Sequence, residues 1–428
     1  MTVTSTEPRR GFAPEAMSAT PERPRGSFRL PDAVAFYLQA SIVVTFLAGS
    51  SAPTPLYAVY QREWGFSPIT TTVVFGIYAL AVLAALLTFG SLSDHVGRRP
   101  VLLAGIGLQM ITMLVLSAAD GVAALLLARV IQGLATGAAL GALGAGMLDL
   151  NRARGTVANA VAPMTGTAAG GIASGLLVQY LPAPTHLVYL VLFAVLVVQG
   201  AGVVLMRESS SIAPGALASL RPQFGVPAAA RRPLLVAVPV AVAVWALAGF
   251  YGSVGPAVVA RVTGSDSAVL GGAALFVLAA SGALTVLLLP PVAPHLVMAF
   301  GSWALIAGVG TTLVGISLSS ATVFFLGAAV AGAGFGAGFQ GAIRTVIPLA
   351  AAHERAGLLS AVYVVSYLAM GLPAVVGGFL VVDGGGLLPT AREYGVAVMA
   401  LAALALVGTL LTQGDRATAQ PVADGNRG

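Results

Sequence analysis

Gly90-Ser91-Leu92-Ser93-Asp94-His95-Val96-Gly97-Arg98-Arg99 is a short charged turn set between two long apolar segments. A chain that buries hydrophobic helices in lipid keeps its fixed charges in water. A tight turn carrying Asp94, Arg98 and Arg99, with glycines at 90 and 97, is therefore expected as a loop on one face of a membrane.

Composition gives the same answer. The 428 residues are 57% hydrophobic and only 8% charged, with mean hydropathy +0.93. A soluble domain carries roughly a quarter charged residues, so this chain cannot stay dispersed in water. The 53 glycines suit close helix packing in lipid. There is no cysteine, which excludes disulfides, zinc–thiolate sites and thiol redox chemistry. There is also no lysine, since all 21 basic residues are arginine. A P-loop needs a lysine at the phosphates, so ATP hydrolysis by that route is excluded, as is Schiff-base chemistry. His95, His186, His295 and His353 are scattered near segment ends, so no histidine metal cluster is expected. No cofactor and no metal are expected.

About 20 apolar residues span a bilayer core as a helix. Twelve such stretches run near 33–60, 68–91, 99–118, 121–148, 156–181, 185–206, 233–260, 267–289, 296–316, 321–349, 356–382 and 394–413. The expected fold class is all-α, a polytopic membrane protein with twelve transmembrane helices in two pseudo-symmetric six-helix bundles, 33–206 and 233–413. Residues 207–232, rich in arginine, serine and proline, read as a cytoplasmic linker. Residues 1–32 and 414–428 read as cytoplasmic tails. Arg9-Arg10 faintly resembles a twin-arginine signal, but no apolar core follows it.

Arginine placement sets the orientation. With both termini inside, 17 arginines fall on the cytoplasmic side and three (Arg62, Arg261 and Arg392) outside, with Arg129 left inside a helix. The halves also repeat. A shift of 201 residues places Gly133, Gly137, Arg154, Ala160, Val161 and Gly170 on Gly334, Gly338, Arg355, Ala361, Val362 and Gly371. Parallel repeats build transporters with a central site between two rocking halves.

The spacing G-x-L-x-D-x-x-G-R-R over 90–99 resembles the signature loop between helices 2 and 3 of the major facilitator superfamily. The stretch Arg129-Val-Ile-Gln132-Gly133-Leu-Ala-Thr136-Gly137-Ala138 resembles that family's R-x-x-Q-G-x-x-x-G-A motif. Gly166-x-x-x-Gly170-Gly171-x-x-Ser174-Gly175 resembles its antiporter motif, with Gly171 where the family has proline and Ser174 where it has glycine. The resemblance covers nearly all of 33–413 and is nearest the drug/proton antiporter, multidrug efflux branch. It implies a secondary transporter working by alternating access, usually as a monomer. It further implies a conformational latch of Gly90, Asp94, Gly97, Arg98, Arg99 and Asp149, in which Asp94 meets the N-terminal end of helix 11 and Arg98 pairs with Asp149. The corresponding stretch of the second half, Pro290 to His295, lacks the pattern.

Arg129 lies deep in helix 4, where a charge costs about 2.5–3.5 kcal/mol on insertion scales. It shares a face with Gln132. That face is expected to line the cavity; the other reading is an arginine that bonds backbone carbonyls or snorkels outward. Tyr37, Gln39, Trp245, Tyr251, Gln340, Tyr363 and Tyr367 are the further cavity candidates, against ordinary core filling or an interfacial belt. Gly133, Gly137, Gly166, Gly170, Gly171 and Gly175 are candidates for close helix packing. Gly336-Ala-Gly338-Phe-Gln-Gly341 matches G-x-G-x-x-G, but lies in a membrane helix where no dinucleotide site can form. No nucleic-acid partner is expected.

None of the 15 acidic residues falls in the middle of an expected span. Cation exporters similar to this chain often carry a buried acid. A neutral cavity with one arginine repels cations, so neutral or weakly acidic lipophilic substrates are expected. Proton coupling then falls to Asp32, Glu63 and Asp149 near the helix ends. The expected function is a proton-coupled exporter in a bacterial-type inner membrane. The alternatives are an importer of a small organic solute and a non-transporting receptor. No enzyme signature is present.

Overall fold

The computed structural model describes residues 1–2, 29–210, 213–351 and 353–418. Twelve of its helices are long and apolar enough to cross a membrane. They are α1 (Asp32–Ser51), α2 (Pro68–Phe89), α3 (Arg98–Ser117), α4 (Val122–Leu150), α5 (Arg152–Tyr180) and α6 (Pro184–Leu205) in the first half. The second half holds α7 (Ala228–Ser253), α8 (Ala268–Leu288), α9 (Pro294–Ser317), α10 (Ala321–Val346), α11 (Arg355–Asp383) and α12 (Leu387–Thr418). Helices are what this composition permits, because a backbone in lipid must satisfy its own polar groups. Their starts are marked locally. Prolines occupy the first turn of α2, α6 and α9, where no N–H partner is missed. Asn151, Ser267 and Ser320 accept a backbone N–H at the starts of α5, α8 and α10.

Each half has its own apolar core. Phe46, Leu102 and Tyr189 are buried in the first, and Val244, Leu305 and Phe324 in the second. A third cluster bridges them, with Phe75, Tyr78 and Val82 of α2 against Tyr367 and Met370 of α11. The halves meet along two seams, α2 on α11 and α5 on α8.

Several expected boundaries shift. The stretch 33–60 is not one helix. α1 stops at Ser51, the chain turns through Pro53 and Pro55, and a short helix Tyr57–Trp64 follows. The stretch 233–260 likewise divides into α7 and a short helix Gly255–Thr263, with Pro256 in its first turn. Proline lacks the N–H that continues a helix, which is why both segments bend. Gly65 and Gly264 close the two short helices in the left-handed conformation, with φ of 65° and 64°. The linker is shorter than 207–232, because α7 begins at Ala228; it contains a short helix Ala216–Ser219. α12 begins at Leu387 rather than 394, so Arg392 belongs to a helix and not to a loop, and it continues past 413. Most of the expected N-terminal tail, the C-terminal residues 419–428, and Arg9, Arg10, Arg23, Arg25 and Arg427 lie outside the described residues.

Candidate functional site

The loop of residues 90–99 is held by charge at close quarters. Gly97 has φ of 99°, a conformation L side chains rarely adopt, and turns the chain into α3. The guanidinium of Arg98 reaches Asp149 Oδ2 at the end of α4 (Nε, 3.3 Å), Ser93 Oγ (Nη1, 2.7 Å) and the carboxylate of Asp94. Arg99 donates to the carbonyls of Val203 (3.1 Å) and Val204, at the C-terminal end of α6. The expected contact of Asp94 with the start of α11 is not formed. The carboxylate is taken up by Arg98, one helical turn further on. The linker supplies a residue that the sequence did not flag. Glu208 accepts the backbone N–H groups of Arg98 (2.8 Å) and Arg99 (3.0 Å), placing a negative charge on the N-terminus of α3. Ser209 Oγ also donates to Asp149 (3.3 Å), and the N–H of Ala213 to the carbonyl of His95 (3.0 Å).

Arg129 and Gln132 point into the first half, both fully buried. Their partners explain them. Pro53 has no N–H for the carbonyl of Gly49, and Gln132 Nε2 serves that carbonyl at 3.0 Å. Thr54 N–H turns to Ser51, leaving the carbonyl of Ser50 to Arg129 Nη1 at 2.8 Å. Arg129 also donates to Gln132 Oε1 (2.6 Å) and the hydroxyl of Tyr57 (2.5 Å), and its guanidinium lies 5.2 Å from the ring centre of Tyr78. The positive group thus sits on the negative, C-terminal end of broken α1. Between residues 29 and 412, among the described residues, Arg129 is the one buried charge, and no carboxylate is buried. The reading in which this arginine bonds backbone carbonyls matches the geometry; a side chain with no exposed surface does not line an open cavity.

The glycines divide by neighbour. At Gly133 and Gly137 a Cβ would press on α2, 2.8 Å from the carbonyl oxygen of Tyr78 and 2.6 Å from Ala85 Cβ. Gly166 and Gly170 face α1, where a Cβ would meet Val44 and Ala48. Gly171 and Gly175 face α8 across the seam between the halves, at 3.1 Å from the carbonyl of Gly272 and 2.7 Å from that of Ala268. One stretch of α5 therefore packs inside its own half and against the other.

Three of the expected cavity residues come together at the bridge between the halves. The ring of Trp245 is 5.0 Å from Tyr367, and Tyr367 is 6.5 Å from Tyr363. Phe339, which no motif or spacing singled out, adds a ring 5.4 Å from Trp245, and Phe75 and Tyr78 approach from α2. Gln340 follows Phe339 on α10, and its Oε1 and Trp245 Nε1 are buried without a partner. The others lie elsewhere. Tyr251 is buried in the second half between Phe250 and Phe324, at 6.0 and 6.2 Å, because its position on α7 faces that core. Gln39 is buried against Gly146 of α4. Tyr37 is 62% exposed at the arginine-rich end of α1, edge-on to Phe36. Asp32 and Glu63 are exposed at opposite ends of the first segment. The second half has its own arginine clasp where the loop pattern is missing. Arg344 of α10 donates to the carbonyls of Leu289 (3.2 Å), Pro290 (3.1 Å) and Val292 (2.8 Å), at the end of α8.

Among the described residues the halves are joined by polar contacts at the end opposite the arginine-rich loop. Thr54 Oγ1 donates to the carbonyl of Gly252 at 3.1 Å. Gln179 Oε1 accepts from Ser267 Oγ (2.5 Å) and the N–H of Val269 (3.2 Å), and Arg62 pairs with Asp266 at 3.9 Å. Cavities of about 10 and 20 Å³ inside the second half are lined almost wholly by apolar side chains and are packing gaps. No group of three or more His, Asp or Glu among the described residues is placed to hold a metal.

Known proteins share this organisation. Residues 40–306, more than half of the chain, match the family model of the Major Facilitator Superfamily. Multidrug resistance protein D of Escherichia coli (strain K12) is 32% identical over 99 residues, which cover 22% of this chain and 25% of that protein. The chain thus matches about a quarter of that relative's length. A mutant of the nucleoside transporter NupG has the same fold, with a TM-score of 0.65 over 90% of this chain and 99% of that one at 12% identity. With twelve spans, a repeated half and the charged loop in place, the chain belongs to the Major Facilitator Superfamily and is a membrane transporter of that family.

Proposed function

We propose that this transporter is a proton-coupled exporter of small neutral or weakly acidic lipophilic molecules. It works as a monomer in the plasma membrane, with its arginine-rich end and both termini in the cytoplasm. The observation that carries the reading is the distribution of buried charge. None of the carboxylates between residues 29 and 412 is buried, and the one buried charge there, Arg129, is positive and taken up by the break in α1. A cationic substrate finds no counter-ion there, and a neutral aromatic one finds the rings of Trp245, Phe339, Tyr363 and Tyr367. The partial match to a protein named for multidrug resistance supports export. Arginine asymmetry supports the orientation. Asp32, Glu63 and Asp149, near the helix ends, are the groups proposed to carry the proton. In alternating access the two halves rock about the bridge, and the loop of residues 90–99 closes the cytoplasmic end when the outer end opens.

The test is flux in proteoliposomes with an imposed pH gradient and a panel of neutral, anionic and cationic lipophilic dyes. Neutral or anionic dyes should move outward only when the gradient is present, and cationic dyes should lag at least ~10-fold. Preferential transport of cations would overturn the substrate class. Movement that ignores the gradient would overturn proton coupling.

A further inference from the structure

We propose that Thr54 is a positioning residue that holds the outer gate shut, through a carbonyl that the α7 break leaves without a helical partner. Pro256 has no N–H, so the carbonyl of Gly252, four residues earlier, cannot make its helical hydrogen bond. That carbonyl is met by Thr54 Oγ1 at 3.1 Å, from the break in α1, which is flanked by Pro53 and Pro55. The partners belong to opposite halves, 198 residues apart, and Thr54 is 1% exposed. The neighbouring carbonyls at the α1 break are served within their own half. Gly49 takes Gln132, Ser50 takes Arg129, and Ala52 takes Ser174 Oγ at 2.6 Å. The carbonyl of Gly252 instead takes its bond from across the seam. Gly252 also lets the outer end of α7 lie close on α2, since a Cβ there would be 2.6 Å from Phe75.

The bond exists only while the outer ends of α1 and α7 touch. When they part, water serves both groups. The hydroxyl therefore contributes to one state and not the other, and only such a difference shifts an equilibrium. The proposal rests on the alternation of the two halves and not on the substrate.

The chain's lack of cysteine makes the test direct. Ala58→Cys and Arg261→Cys introduce spin labels at exposed positions on the two short helices beyond the breaks, leaving the Arg62–Asp266 pair intact. The distance between them is read by pulsed electron resonance in liposomes without substrate. The short distance should dominate in the parent. Thr54→Val, which keeps the shape and removes the donor, should raise the ratio of long to short distances ~10-fold, equivalent to about 1.4 kcal/mol. Thr54→Ser, which keeps the donor, should stay within about twofold of the parent. An unchanged ratio in Thr54→Val, or an equal rise in Thr54→Ser, overturns the proposal. So does a parent that lacks the short distance. The labels report the gate whatever the dye panel shows, so failure of one reading is separable from failure of the other.

Discussion

Arg129 shows how a charge is accommodated in a membrane helix. Its guanidinium replaces the backbone donor that the turned N–H of Thr54 withdraws from the carbonyl of Ser50 in α1. Removing it leaves the carbonyl of Ser50 and the hydroxyl of Tyr57 without this donor in an apolar interior. Arg129→Ala should therefore destabilise the first half by about 1.5–3 kcal/mol, the range for hydrogen bonds to a charged group. Arg129→Lys keeps the charge but loses the planar fork, and should fall in between. Thermal unfolding in detergent checks both. If Arg129→Ala melts like the parent, the capping role is wrong. If it also transports with unchanged substrate affinity, the arginine has no part in the cavity either. The sequence exposed this residue through its cost and its motif. The positions of its partners on the first segment, Tyr57 and Ser50, 72 and 79 residues away, could not be read from spacing.

At the scale of the element, α5 carries two functions on adjacent faces. Gly170 packs on α1 within the half and Gly171 on α8 across the seam. Gly170→Leu should overpack the bundle, costing about 1–3 kcal/mol, and lower the yield of folded protein. Gly171→Leu should leave each half folded and hold the outer ends apart, with flux reduced at least ~10-fold. Detergent stability and liposome flux separate the two outcomes. Equal stability losses in both variants would show that the seam is ordinary core. The G-x-x-x-G spacing announced close packing, but periodicity cannot say which neighbour each face meets. The same holds for Tyr251, whose aromatic ring fitted a cavity as well as it fitted the core that it joins.

At the scale of the molecule, the structure is closed at the end opposite the arginine-rich loop. Asp94 lies with Arg98, in its own half. If its partner in the other state is the start of α11, Asp94→Asn should abolish flux while folded protein remains in the membrane. Full activity in Asp94→Asn would sink the latch. Glu208 belongs to the same assembly, since it ties the linker to the first turn of α3. Nothing in the linker's composition marks that role, because the residues it meets lie some 110 positions back along the chain.

The amino-acid sequence by itself determined the class, the twelve spans, the division into halves and the loop. These follow from local quantities: apolar length, scarcity of charge, proline and glycine placement, and a motif of fixed spacing. The conformation, the division of labour among the glycines and the partners of Arg129, Glu208, Thr54 and Arg344 were decided by the tertiary structure. Each of these depends on which unpaired backbone group a side chain meets after folding, and a proline discloses the vacancy in the chain without naming the donor that will fill it.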